Sequence, residues 1–73
     1  MLQKYTAVYT KLPSGRYLGQ LAEWQEVITE GMTLEECKEM LADALEQMIL
    51  AYKETGQEVP TGHTFIEAMA VNV

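Results

Sequence analysis

Apolar and polar positions change their spacing four times along the chain, and each change marks an element. Residues 2–12, from Leu2 to Leu12, are rich in Tyr, Thr and Val. These β-branched and aromatic side chains fit a pleated, half-buried surface, so the segment reads as a first strand. Pro13-Ser14-Gly15 then supplies a turn, because Pro presets φ and Gly admits positive φ. Residues 16–23, with Tyr17, Leu18 and Leu21, read as a second strand, and so short a connection predicts an antiparallel hairpin. Gln25–Glu30 reads as a third strand, although the bend before it at Glu23-Trp24-Gln25 holds neither Gly nor Pro.

From Thr33 the spacing becomes helical. Leu34, Cys37, Leu41, Leu45, Met48 and Tyr52 fall in one stripe at 100° per residue. Thr33-Leu34-Glu35-Glu36 forms a capping box at the start, and Gly56 is placed to end the helix just after Thr55. Glu35, Glu39, Asp43 and Glu46 fall on the opposite, solvent side, where Leu50 is the one large apolar residue among them. Gln57–His63 reads as a polar loop. Residues 64–73, Thr-Phe-Ile-Glu-Ala-Met-Ala-Val-Asn-Val, read as a fourth strand that is apolar on both alternation sets.

The predicted architecture is an α+β domain of order βββαβ spanning residues 1–73. A right-handed crossover brings strand four beside strand one, giving a four-stranded mixed sheet of order 3-2-1-4 with one helix on one face. The other face keeps apolar side chains, and a face of that kind predicts a homodimer or higher homo-oligomer.

Charge narrows the choice of partner. The net charge of −6 comes from 11 acidic and 5 basic residues, and Lys4, Lys11, Arg16, Lys38 and Lys53 form no basic patch. Nucleic-acid binding rests on neutralising phosphates, so direct nucleic-acid contact is not expected and a basic protein partner is. One cysteine, Cys37, excludes an intrachain disulfide. No stretch approaches the ~20 apolar residues of a membrane span, and no leader pattern opens the chain, so the expectation is a cytoplasmic protein with no membrane association.

Few residues suggest catalysis. Cys37 lies on the core stripe, His63 sits in a loop without a companion ligand, and Asp43, the only aspartate, lies on the solvent face of the helix. No catalytic residue, metal ligand or cofactor is expected. The candidate partner-binding residues are Trp24 and Glu26 at the bend, and Glu35, Glu39, Asp43, Glu46 and Leu50 on the helix.

The hairpin with Gly15-Arg16-Tyr17, followed by Thr29-x-Gly31-x-Thr33-Leu34-Glu35-Glu36 and a polar loop with Pro60, resembles the HicB-like antitoxins over residues 5 to 60. The resemblance implies a partial RNase H-like fold. It also implies a role in a toxin–antitoxin system: neutralising HicA, a small basic ribonuclease toxin, by direct protein contact. The chain departs from the family pattern at Ala22–Val27, where a Pro-Gly bend is usual. With no residues after the expected strand four, the expectation is a short form without the DNA-binding module that many members carry there. The alternative is an orphan oligomeric domain without a toxin.

Overall fold

The computed structural model describes residues 3–73. It contains three strands, β1 (Ala7–Lys11), β2 (Tyr17–Leu21) and β3 (Ile28–Gly31), followed by one helix, α1 (Leu34–Thr55). The strands form one antiparallel sheet of order β1-β2-β3. The register sets Tyr9 opposite Gly19 and Tyr17 opposite Gly31.

The hairpin closes as its turn residues require. Gly15 adopts φ 89°, its N–H bonds to the Leu12 carbonyl, and the Leu12 N–H bonds to Arg16. A left-handed third loop residue of this kind matches the twist of the flanking strands. The second bend closes without Gly or Pro. Val27 N–H reaches the Trp24 carbonyl at 3.0 Å, Leu21 N–H reaches Val27, and the Gln20 side chain donates to the Gln25 carbonyl.

Helix α1 starts and stops where the capping residues place it. The Thr33 hydroxyl accepts from Glu36 N–H at 3.1 Å. Gly56 is left-handed, with Gly56 N–H on Lys53 and Gln57 N–H on Tyr52, which satisfies carbonyls the last turn leaves open.

The helix packs on β3 and β2, and β1 stands largely outside its cover. Glycines make the close approach possible. A methyl group at Gly31 would stand 2.6 Å from the Cys37 backbone nitrogen, and one at Gly19 would stand 2.9 Å from Cys37 Sγ. Cys37 is fully buried between them. Leu21, Trp24, Val27 and Leu41 complete the core, with Tyr5, Tyr9, Leu45, Met48 and Tyr52 packed around it.

The predicted four-stranded sheet of order 3-2-1-4 is not present. Residues 64–73 carry no strand, and the sheet has three antiparallel strands instead of four mixed ones. The reason is positional. The segment after the helix crosses the start of β1, where the Tyr5 hydroxyl donates to the Pro60 carbonyl and Gly62 lies tight against the Lys4 carbonyl. Beyond that crossing, Thr64 still approaches Glu23, but the apolar side chains of Phe65, Ile66, Met69, Val71 and Val73 stand exposed, Phe65 at 97%. β-Propensity reports a fit to a half-buried surface, and it is not expressed where the surface is missing.

The other strands are shorter than their apolar patterns. β1 begins at Ala7; of its expected earlier residues, Leu2 lies outside the described part. β3 begins at Ile28, because Gln25 and Glu26 form the turn.

Gly31→Ala is expected to destabilise the fold by about 1–3 kcal/mol, because the added methyl meets helix backbone that cannot rotate away. Urea unfolding followed by circular dichroism measures this. Gly15→Ala, which meets no neighbour, serves as a control for backbone strain alone.

Candidate protein-binding surface

The packing of α1 determines which residues it displays. With Cys37 and Leu41 turned to the sheet, Glu35, Glu39, Asp43 and Glu46 stand exposed on the outward side. Leu50, 55% exposed, lies among them and with Ile49 and Glu46 borders a shallow apolar hollow. The surface therefore combines a row of carboxylates with an apolar foothold at one end. Like charges at i,i+4, as in Glu35–Glu39 and Glu39–Asp43, cost a few tenths of a kcal/mol per pair. Among the described residues only Lys38 offsets them, 4.0 Å from Glu35 across solvent. Arg16 is engaged elsewhere, 3.2 Å from Glu30.

The two bend residues do not join this surface. Glu26 is exposed but borders a separate groove between β3 and the helix, with Ile28, Ala44, Gln47 and Met48. Trp24 is a core residue, only 3% exposed. Its ring meets Tyr52 edge-on at 4.8 Å and Tyr5 at 6.5 Å. Aromatic pairs of this geometry add about 0.5–1.5 kcal/mol beyond their buried area. The indole N–H finds no acceptor among the described residues. Trp24 thus holds the bend to the helix, buried within this chain.

A neighbour of Trp24 matters in a way the sequence pattern did not single out. Glu23 Oε1 accepts from Thr6 N–H at 2.8 Å. This bond replaces a ladder hydrogen bond just before β1 and ties the strand's start to the bend. The Thr6 side chain above all, then the Thr6 and Glu23 backbone amides, stabilise the carboxylate against partial desolvation and hold the Glu23 carboxyl at about 2, with the Thr64 side chain adding the smallest pull. The second oxygen, Oε2, is shielded and has no partner among the described residues. The pairing of Thr6 with a residue 17 positions later depends on the hairpin register, so no local motif could have announced it.

On the sheet's uncovered face, Val8 and Ile28 are exposed beside the partly buried Leu18. Burial raises the Tyr9 hydroxyl above its usual range, and the neighbouring Cys37 adds to the shift. Among the described residues no three His, Cys, Asp or Glu side chains converge as metal ligands would, and no helix is long and apolar enough to cross a membrane.

The family model described as UPF0150-like matches residues 5–60, which covers the sheet, the helix and the crossing at Pro60. No curated protein and no solved structure matches the chain.

Glu23 makes acid stability testable. A carboxyl held at about 2, against an ordinary value of 4.5, contributes stability that is present above pH 4.5 and is lost as pH falls from there through about 2. Urea midpoints measured across that range should fall more steeply for the native chain than for Glu23→Gln. Parallel curves would show that the Thr6 bond contributes nothing.

Proposed function

We propose that this chain, which belongs to the UPF0150-like family, is an antitoxin-like binding protein that neutralises a small basic ribonuclease toxin of the HicA type by direct contact. The observation that carries this reading is the outward face of α1. Among the described residues it presents Glu35, Glu39, Asp43 and Glu46 with one ion-paired cation, Lys38 at 4.0 Å from Glu35, and sets Leu50 beside them. A row of mutually repelling carboxylates gains most from a cationic surface, and an exposed leucine in its midst supplies the apolar anchor that charge alone lacks. Neutralisation by this route needs no chemistry. It needs only that the toxin's catalytic or RNA-binding surface be covered. The HicB-like resemblance of the hairpin and of Thr29–Glu36 supplies the class of partner.

A second reading, an oligomeric domain without a toxin, is favoured by one specific observation: the exposed apolar side chains of residues 64–73.

The test begins with the small basic protein that co-purifies in stoichiometric amount from native cells. It should degrade RNA alone and stop when this chain is added. Titration against the variant Glu35→Gln, Glu39→Gln, Asp43→Asn, Glu46→Gln should show binding weakened by about 1–3 kcal/mol, the sum expected of solvent-exposed ion pairs. The loss should shrink as salt is raised. Unchanged affinity in that variant would remove the helix face from the proposal, and the lack of any basic partner would remove the toxin.

A further inference from the structure

The outer edge of β1 is the largest unfinished feature of the fold. Two hydrogen bonds flanking the β1–β2 ladder, Leu12 N–H to Arg16 and Ala22 N–H to Thr6, fix which backbone groups face inward. In an antiparallel pair these alternate. Thr6, Val8, Thr10 and Leu12 therefore turn toward β2, and Ala7, Tyr9 and Lys11 direct their N–H and C=O groups outward. Such a row of free groups is a template for another strand.

The side chains of Ala7 and Tyr9 border an open groove on the helix side of β1, together with Tyr5, Leu41, Leu45 and Lys38. Among the described residues, none fills it. Residues 64–73 depart from the body at the Lys4–Gly62 contact instead. The Cα radius of gyration, 14.1 Å, exceeds the ~11 Å of a compact chain of this length. The long dimension of 46 Å also exceeds the ~33 Å of a 22-residue helix. The structure thus holds an apolar, strand-patterned segment with no surface, and a strand edge with an apolar groove and no strand.

We propose that residues 64–73 of one copy pair along the outer edge of β1 in a second copy, reciprocally, to make a strand-exchanged homodimer. This inference rests on the self-association reading above and holds whether or not a toxin is bound.

Two arguments select a second copy as the occupant. The first is area. Phe65, Met69, Val71 and Val73 share one alternation set and are almost wholly exposed. At roughly 60–120 Å² for each buried side chain, two such segments and the two surfaces they cover remove on the order of 1,000–1,900 Å² from water. That approaches or reaches the ~1,200–2,000 Å² of a stable interface. The second is charge. Two chains of net charge −6 repel. Residues 3–12, however, contain Lys4 and Lys11 and no acid, whereas residues 64–73 contain Glu67 and no base. Glu67 belongs to the same alternation set as Phe65, so it arrives on the helix side of β1, where Lys11 and Lys38 stand. This pairing joins opposite charges in an otherwise acidic molecule.

Light scattering at micromolar concentration tests the proposal on the full chain. The native protein should have twice the 8.2 kDa chain mass. The variant Phe65→Asp, Met69→Asp, Val71→Asp changes only exposed positions, and it should run at the single-chain mass with unchanged helical circular dichroism. Ala7→Pro removes one outward N–H while sparing the β1–β2 ladder, and it should also shift the dimer to monomer. A native protein of single-chain mass would overturn both the exchange and the self-association reading. A dimer that survives the three aspartates, or one that needs residues 64–73 but tolerates Ala7→Pro, would overturn the exchange while leaving self-association standing.

Discussion

Cys37 is wedged between Gly19 and Gly31, and the rest of the molecule follows from that contact. With no side chain at either glycine, the first turns of α1 come down onto β2 and β3 until thiol and backbone touch the sheet. Larger residues there would lift the helix and open the core beneath Leu41. Because the contact lies over β2 and β3, the helix is centred on one side of a three-stranded sheet. Trp24 and Tyr52 close the far end of the same interface. A chain of 73 residues has little core to spare, and this one concentrates its burial on half of its sheet.

That asymmetry sets where the protein can be read from outside. With the Cys37–Leu41 stripe held inward, the acidic row and Leu50 are displayed as a continuous outward face of the helix. With cover concentrated over β2 and β3, the backbone edge of β1 and its flanking groove stay open. Glu23, clasping the Thr6 amide, keeps the start of β1 in place without help from the helix. The two surfaces are separate: one is charged and carried on a rigid helix, and the other is apolar and carried on a strand edge. The proposed toxin binding at the first and the proposed self-pairing at the second therefore do not compete.

Much of this was legible in the residues because it was local. Thr33, Glu36 and Gly56 marked both ends of the helix through their own hydrogen bonds, and the 100° spacing placed Cys37 and Leu41 inside and Leu50 outside. Pro13-Ser14-Gly15 announced the hairpin. What the sequence did not carry were relations between distant segments. The alternation of residues 64–73 described a strand correctly in composition but said nothing about the crossing at Tyr5 and Pro60, which carries that segment away from its expected place. Trp24, a candidate contact at the bend by its sequence position, is placed in the core by the fold that brings it against Tyr52. Glu26 shared a bend with Trp24 in sequence, yet the groove it borders lies apart from the acidic row. The Glu23–Thr6 bond depended on pairing alone.

The central claim is that the fold leaves the β1 edge and the apolar side chains of residues 64–73 exposed, with the proposal that a second chain covers them. Amide hydrogen exchange by mass spectrometry, at nanomolar and at high micromolar protein, tests it most directly. The account predicts that residues 7–11 and 64–73 gain protection together as concentration rises, while β2, β3 and α1 are protected equally at both. Exchange in residues 64–73 that stays at the unstructured rate at every concentration, or protection that is already full in the dilute protein, would contradict it.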